Sequence, residues 1–270
     1  GSSSIWGPPP SSSNTSFIEM QLRKTDGVVI HRLDFGESDL IVTLYTADLG
    51  KVTGIAKGAK RSKRRFVNTL QPFSYIRIVF SEGRGGLIRV DEADMILPLF
   101  RISEDISKLL YGSYCLEMVK EMTGEKEAHP QLFDLLVTFL TVLNDSPCRE
   151  EYPRAFELRF LDLMGYRPRL TECSVCNQTL SFDESAWFSF RHGGAVCQRC
   201  QTNARGAVLV SGETLQAMEL ALTMDLAELE GIRFSPLVLA EGRDILPRFV
   251  QYQLGKGLKS LRVMETVQGG

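Results

Sequence analysis

Four cysteines carry the plainest chemistry in this sequence. Cys173-Ser-Val-Cys176 and Cys197-Gln-Arg-Cys200 are two C-x-x-C pairs with 20 residues between them. A two-residue spacer lets both sulfurs of a pair reach one ion. Two such knuckles supply the tetrahedral four-thiolate shell that Zn²⁺ favours. With four protein ligands the shell is closed, so one zinc ion held this way maintains a fold and does no chemistry. The turn after a knuckle needs a residue tolerant of left-handed backbone; Asn177 meets that need, although glycine is easier there. Disulfides, a redox-active C-x-x-C or accidental spacing are the alternatives. Disulfides suit secreted chains, and a thioredoxin-type motif uses one C-x-x-C in a βαβ setting. His192 lies nearby and reads as a surface residue or a support for the ligands. Cys115 and Cys148 read as buried or free thiols with no role.

The second constellation is Lys57-Gly-Ala-Lys60-Arg61-Ser-Lys63-Arg64-Arg65, followed by Phe66. Six of its nine positions are cationic and none is acidic. Such a run repels itself unless a polyanion is present. Clustered Lys and Arg among Gly and Ser grip phosphates and read no base edge, so contact with nucleic acid without sequence specificity is expected. A solvated or membrane-attracted loop is the bland alternative. Lys256, Lys259 and Arg262, spaced three apart, read as one solvated helix face.

These groups need a scaffold. Thr25 to Ile96 reads as all-β, with apolar runs at Val28–Ile30, Leu40–Tyr45, Val52–Ile55, Tyr75–Phe80 and Leu87–Val90. Turn material separates them at Phe35–Ser38, Asp48–Gly50 and Gly83–Gly86. Five short strands fit a small barrel such as the OB-fold better than a sandwich. The cationic run follows the third strand and would project beside the barrel, where Phe66, Phe73, Tyr75 and Tyr45 are available as stacking platforms. After Pro98 the apolar period changes to about 3.6. Ser103 is the expected N-cap of a first helix, with Glu104 and Asp105 in its first turn. Further helices are expected within His129–Leu143, Pro153–Met164, Gly212–Leu229 and Val238–Leu261, with Pro247 starting or kinking the last. Leu132 to Leu143 is apolar almost all round and is expected to be enclosed by its neighbours. Between the cysteine pairs, Trp187–Phe190 reads as a strand and Gly193-Gly194 as a tight turn. The expected fold class is therefore α+β and multidomain. An OB-fold barrel at 20–98 precedes an α-helical domain at 99–270, which carries a small four-cysteine zinc module at about 170–205.

Composition bounds the function. The 270 residues are 43% hydrophobic and 24% charged, which is ordinary globular material. No run reaches the roughly 18 to 20 apolar residues needed to span a bilayer. Residues 1–19 begin with a polar Ser/Pro stretch that lacks the features of a secretory signal and reads as a leader or tag. The net charge of −2 conceals polarity: residues 20–98 hold 13 Lys and Arg against 9 Asp and Glu, and residues 99–270 hold 18 against 23. The sequence contains no G-x-x-x-x-G-K-[ST] loop, no strand–G-x-G-x-x-G–helix unit and no G-x-S-x-G elbow. With histidines only at 31, 129 and 192, a nucleophilic triad has few candidates. An enzyme is disfavoured, which leaves a nucleic-acid-binding protein or a zinc-ribbon adaptor that joins proteins.

The residues also point to a family. Asp26-Gly-Val-Val-Ile-His-Arg-Leu-Asp-Phe-Gly36-Glu37-Ser38-Asp39 continues through Leu-Ile-Val-Thr-Leu-Tyr-Thr-Ala-Asp-Leu-Gly50-Lys51, then Ala56–Arg61 and Leu70-Gln-Pro-Phe73. This closely resembles the bacterial recombination-mediator RecO family. The likeness extends to Phe156–Leu161, Gly165-Tyr-Arg-Pro168 before Cys173, and Leu258-Lys-Ser260; Asn177 departs from the glycine common after the second cysteine. The resemblance implies an OB-fold, a helical domain and a zinc module. It implies binding to single- and double-stranded DNA and annealing of complementary strands, with no covalent chemistry. It further implies that, with the partner RecR, the chain helps RecA load on DNA covered by single-stranded DNA-binding protein, in the bacterial cytoplasm at the nucleoid and away from membranes. Carried onto this chain, Lys57, Lys60, Arg61, Lys63, Arg64 and Arg65 become the leading DNA contacts, with Lys51, Arg32 and Arg77 as further candidates.

Overall fold

Runs of β-branched and apolar residues build five strands, paired antiparallel except at one contact, in a computed structural model that describes residues 22–83 and 85–268. The expected leader at 1–19 lies outside them, as does Arg84 of the expected Gly83–Gly86 turn. The strands are β1 (Arg23–Phe35), β2 (Asp39–Thr46), β3 (Gly50–Ala56), β4 (Tyr75–Glu82) and β5 (Ile88–Leu97). They close into a barrel in the order β1-β2-β3-β5-β4. Closure is possible because β1 is long enough to serve two neighbours. Arg23–Val28 pairs with β4 and Gly27–Phe35 with β2, with a bulge between Val29 and His31 that bends the strand. The circuit ends with a short parallel contact of β3 and β5 at Gly54. A Cβ at Gly54 would lie 2.7 Å from Ile88 and 2.9 Å from Val90, so only glycine lets these strands approach.

The register separates two sides of the barrel wall. Leu40, Val42 and Leu44 of β2 and Val52 and Ala56 of β3 point inward with Val29, Ile78 and Phe80. On the outer side, Val28, Ile30, Tyr45 and Phe73 join the core of the helical part. Barrel and helices therefore share apolar packing, in addition to each having its own core.

The helical part comprises α1 (Arg101–Glu104), α2 (Ile106–Met122), α3 (Pro130–Asp145), α4 (Glu151–Leu163), α5 (Gly212–Thr223), α6 (Pro236–Leu254) and α7 (Lys259–Gln268). Several expectations are corrected. Ser103 lies inside the single turn α1. The residue that caps α2 is Asp105, whose carboxylate accepts from the N–H groups of Ser107 at 2.8 Å and Lys108 at 3.1 Å. The expected helix at 212–229 ends at Thr223 and gives way to a 3₁₀ segment at Leu226–Gly231. The expected helix at 238–261 is two helices, because Gly255 takes a left-handed φ of 74° and stops α6. Pro236 starts α6 behind its Ser235 cap, and the helix runs on through Pro247. Lys256 consequently sits in the α6–α7 linker, so Lys256, Lys259 and Arg262 do not share one helix.

Leu132–Leu143 of α3 is enclosed as expected, with only Asp134 exposed, and α4 is enclosed as well: Glu151 through Leu158 are all buried. α4 carries charge into the core because Arg154 and Glu157 neutralise each other at 3.1 Å, 3% and 0% exposed, and the Tyr114 hydroxyl donates to Glu157 at 2.6 Å. Burial pushes the Glu157 carboxyl up to about 7, against the pull of Arg154 and Tyr114.

Candidate metal centre and nucleic-acid interface

Local backbone chemistry builds the cysteine cluster. β6 (Ala186–Ser189) pairs with β7 (Gly194–Val196) and β8 (Val208–Val210) in a small antiparallel sheet with β6 in the middle. β7 delivers Cys197 directly. The first knuckle is docked on the same strand by Ser174, whose N–H donates to the Ala195 carbonyl at 2.8 Å. The chain reverses after Cys176 as the Asn177 N–H donates to the Cys173 carbonyl at 2.9 Å, with Asn177 at the left-handed φ of 59° expected of it. The second knuckle opens a 3₁₀ turn, Gln198–Asn203, in which the Cys200 N–H donates to the Cys197 carbonyl.

The ligand sulfurs of Cys173, Cys176, Cys197 and Cys200 all lie within 4.8 Å of one another. Sulfurs at about 2.3 Å from a tetrahedral Zn²⁺ are separated by edges of about 3.8 Å. The Cys176–Cys197 sulfurs are 3.8 Å apart. The same distance is far too long for a disulfide, and all six cysteines are free thiols. The donor set therefore fits a single metal ion. Burial pushes the Cys173 thiol up, but N–H groups of Cys197, Cys176 and Val175 outweigh it and draw this thiol down to about 6. A thiolate is thus favoured at the most buried ligand. His192 stays outside the cluster, with Nδ1 3.0 Å from the Ser189 hydroxyl. Cys115 is fully buried, and burial raises its thiol well above the usual range. The knuckles rest on a small cluster of Cys173, Val196 and Ala204 with Val175, Leu180, Trp187 and Ala207 around it, whereas Ala186, Phe188, Ala195 and Val210 of the sheet pack into the helical core, Phe188 against Phe249 at 5.3 Å.

The cationic run leaves β3 at Ala56, makes a 3₁₀ turn at Ala59–Arg61 and passes to buried Phe66 and Leu70. All six cations are exposed. They divide into two sets. Lys60 binds Asp34 at 3.0 Å and the Gly36 carbonyl at 3.1 Å, and Arg61 faces Glu37 at 3.5 Å. Arg65 braces the loop by donating to the Lys57 carbonyl at 3.0 Å and the Asp91 carbonyl at 3.4 Å, over the Phe66 ring. Lys57, Lys63 and Arg64 form no ion pair among the described residues. The acidic partners Asp34 and Glu37 flank the β1–β2 turn, which the sequence reading left without a role. The signal for them was the topology of the barrel, which brings the β1–β2 turn against the exit of β3.

The remaining candidates are placed elsewhere. Lys51 turns its ammonium to the end of α2, donating to the carbonyls of Lys120 at 2.6 Å and Thr123 at 2.5 Å, with its side chain 12% exposed. Arg77 lies directly opposite Asp26 in the β1–β4 register and binds it through two nitrogens at 2.6 and 2.8 Å. Arg32 sits 3.6 Å from Asp34, beside a groove between β1 and α2. The supposed stacking aromatics are corrected: Tyr45, Phe66 and Phe73 are buried, and Tyr75 is half-buried against Phe133 in an edge-on contact at 5.7 Å. Their rings hold the barrel interior and the barrel–helix junction.

The chain thus combines a closed barrel carrying an exposed cationic loop with a helical part that brings together four cysteines able to hold a metal ion. Residues 20–99 match the family described as Recombination protein O N terminal, and residues 103–262 match Recombination protein O C terminal. The chain is 37% identical to the DNA repair protein RecO of Myxococcus xanthus over 92% of its length and 99% of the relative's. It is 34% identical to the DNA repair protein RecO of Syntrophus aciditrophicus over 91% of its length and 96% of the relative's. The chain belongs to the RecO family of DNA repair proteins. No helix among the described residues is long and apolar enough to cross a membrane.

Proposed function

We propose that this chain is a non-enzymatic mediator of DNA repair and homologous recombination in the bacterial cytoplasm, acting at the nucleoid. It binds single- and double-stranded DNA and anneals complementary strands. With RecR it helps load RecA on DNA covered by single-stranded DNA-binding protein. The observation that carries this reading is the loop of Lys57, Lys60, Arg61, Lys63, Arg64 and Arg65 on a closed barrel, with Lys57, Lys63 and Arg64 forming no ion pair among the described residues. Annealing brings two polyanions together, and unneutralised cations lower that repulsion. Lys51 and Arg77 support the barrel in this reading. The metal is zinc, held as one structural ion by Cys173, Cys176, Cys197 and Cys200; it secures the two knuckles, which rest on a small apolar cluster of their own.

The test is annealing of two complementary oligonucleotides, each coated with cognate single-stranded DNA-binding protein. The expected result is faster annealing with the full chain and no acceleration with the Lys57→Ala/Lys63→Ala/Arg64→Ala variant. A zinc-loaded, folded chain that accelerates nothing would overturn the reading and favour a zinc-ribbon adaptor.

A further inference from the structure

The barrel wall has an outer face that the helices cover only in part. Val28, Ile30 and Tyr45 lie under the helical domain, but toward the β1–β2 turn the same face is open. There Leu33 is 54% exposed and Phe35 51% exposed. The register aligns Leu33 with Ile41, Ile41 with Ile55 and Ile55 with Arg89, one rung across β1, β2, β3 and β5. Ile41 and Ile55 are half-buried. At about 4.8 Å between strands this rung is about 14 Å long. Phe35 stands one step further along the same face, because residues two apart on a strand point the same way. It pairs with Asp39, and Lys57 follows Ala56, the partner of Leu40, so Lys57 continues the Phe35–Asp39 line.

Phe35 is also firmly mounted. Lys60 grips the residues on both sides of it, Asp34 and Gly36, and its N–H donates to the Ser38 carbonyl at 2.9 Å. The Gly58 N–H donates to Asp39 at 2.8 Å. The open aromatic and the cationic loop are therefore one unit.

We propose that Phe35 and the Leu33–Ile41–Ile55 rung form the base-facing half of a single-strand site whose phosphate-facing half is the cationic loop. This deepens the DNA-binding reading given above and rests on it. The occupant is an unpaired stretch of single-stranded DNA: its bases offer flat apolar faces to Phe35 while its phosphates meet Lys57 and the neighbouring cations. A duplex hides its base faces in the stack and can engage only the loop. Phe35 thereby confers a preference for single strands over duplex.

The experiment compares the full chain with the Phe35→Ala and Phe35→Trp variants for binding to an oligothymidine, to an abasic oligomer of equal length and to a duplex. Phe35→Ala is expected to weaken oligothymidine binding by about 5- to 150-fold, the range for one lost base–aromatic stack. Binding of the abasic oligomer and the duplex should change less than about 2-fold, because those ligands offer phosphates without an available base face. Phe35→Trp should retain binding, with its fluorescence quenched by oligothymidine and unaffected by the abasic oligomer. If Phe35→Ala binds oligothymidine like the parent while the Lys57/Lys63/Arg64 variant does not, the proposal is overturned and the DNA-binding reading of the loop stands. If neither variant changes binding, both fall.

Discussion

The division of the loop cations into paired and unpaired sets makes a quantitative prediction. A cation that neutralises a phosphate releases condensed counter-ions and contributes about 0.7 to the slope of log K against log salt for a single strand. Lys57, Lys63 and Arg64 form no ion pair among the described residues, so together they are expected to account for a slope of about 2. Between 50 and 200 mM salt that slope corresponds to about a 20-fold loss of affinity. Lys60 and Arg61 must leave Asp34 and Glu37 to reach a phosphate, and the freed carboxylates recruit cations in return, so their net contribution is small. Fluorescence anisotropy with a labelled oligothymidine at several salt concentrations reads the slope directly. The Lys57→Ala/Lys63→Ala/Arg64→Ala variant is expected to bind with a slope shallower by about 2, and Lys60→Ala/Arg61→Ala with a slope shallower by less than about 1. Equal changes in the two variants would refute the division into sets. An unchanged slope in the triple variant would move the DNA site off the loop.

Other consequences are simpler. Lys51→Met removes the cation that satisfies two carbonyls at the end of α2; it should lower stability by about 1 to 2 kcal/mol in urea melts and leave the salt slope as it was. Chelation, or Cys173→Ala, should release about one zinc per chain and abolish the dispersed amide signals of the two knuckles while those of the barrel, and of Phe188 packed in the helical core, persist. Glu157 has a folded pKa raised to about 7 by burial. The folded state therefore holds its proton more tightly than the unfolded chain, so this contribution to stability is present at acid pH and is lost as pH rises through 7. Denaturation at pH 5 and pH 8 should show roughly 2 to 3 kcal/mol less stability at the higher pH from this source. Glu157→Gln, which has no proton to lose, should lack that component.

The strands and the cysteine site were legible because their signals are local. Alternation along β2 and β3 is written in consecutive residues, and two C-x-x-C pairs need only a turn at Asn177 and one strand at Val196 to converge. What could not be read locally was partnership. Tyr45, Phe66 and Phe73 looked available because aromatic character does not say which side of a barrel wall a residue occupies; that depends on register and on the helices packed outside. The burial of α4 was not legible for a related reason. Leu132–Leu143 of α3 is more apolar than α4, but Arg154 and Glu157 can be buried together once they neutralise each other, and a hydropathy pattern counts them as two solvent-seeking groups. Ser103 and Asp105 were both eligible caps, and the choice fell to Asp105 because α1 is a turn of its own.

Charge shows best how local neutralisation shapes the whole. The excess of cations in residues 20–98 is not spread over the barrel. Asp26 holds Arg77, Asp34 holds Lys60, Asp91 holds Arg89 and Glu82 holds Arg23, each within 3.5 Å. Among the described residues, Lys24 on β1 and Lys57, Lys63 and Arg64 form no ion pair, and three of these four cluster in one loop. Residues from Leu99 onward carry more acidic than basic groups, 23 against 18. At physiological salt the field of a charge extends about 8 Å, so the loop attracts a phosphate chain only near its own end of the barrel. In the function proposed above, a polyanion is therefore drawn to the end of the barrel where the loop and the exposed Phe35 lie together. The near-zero net charge conceals the polarity that makes this possible.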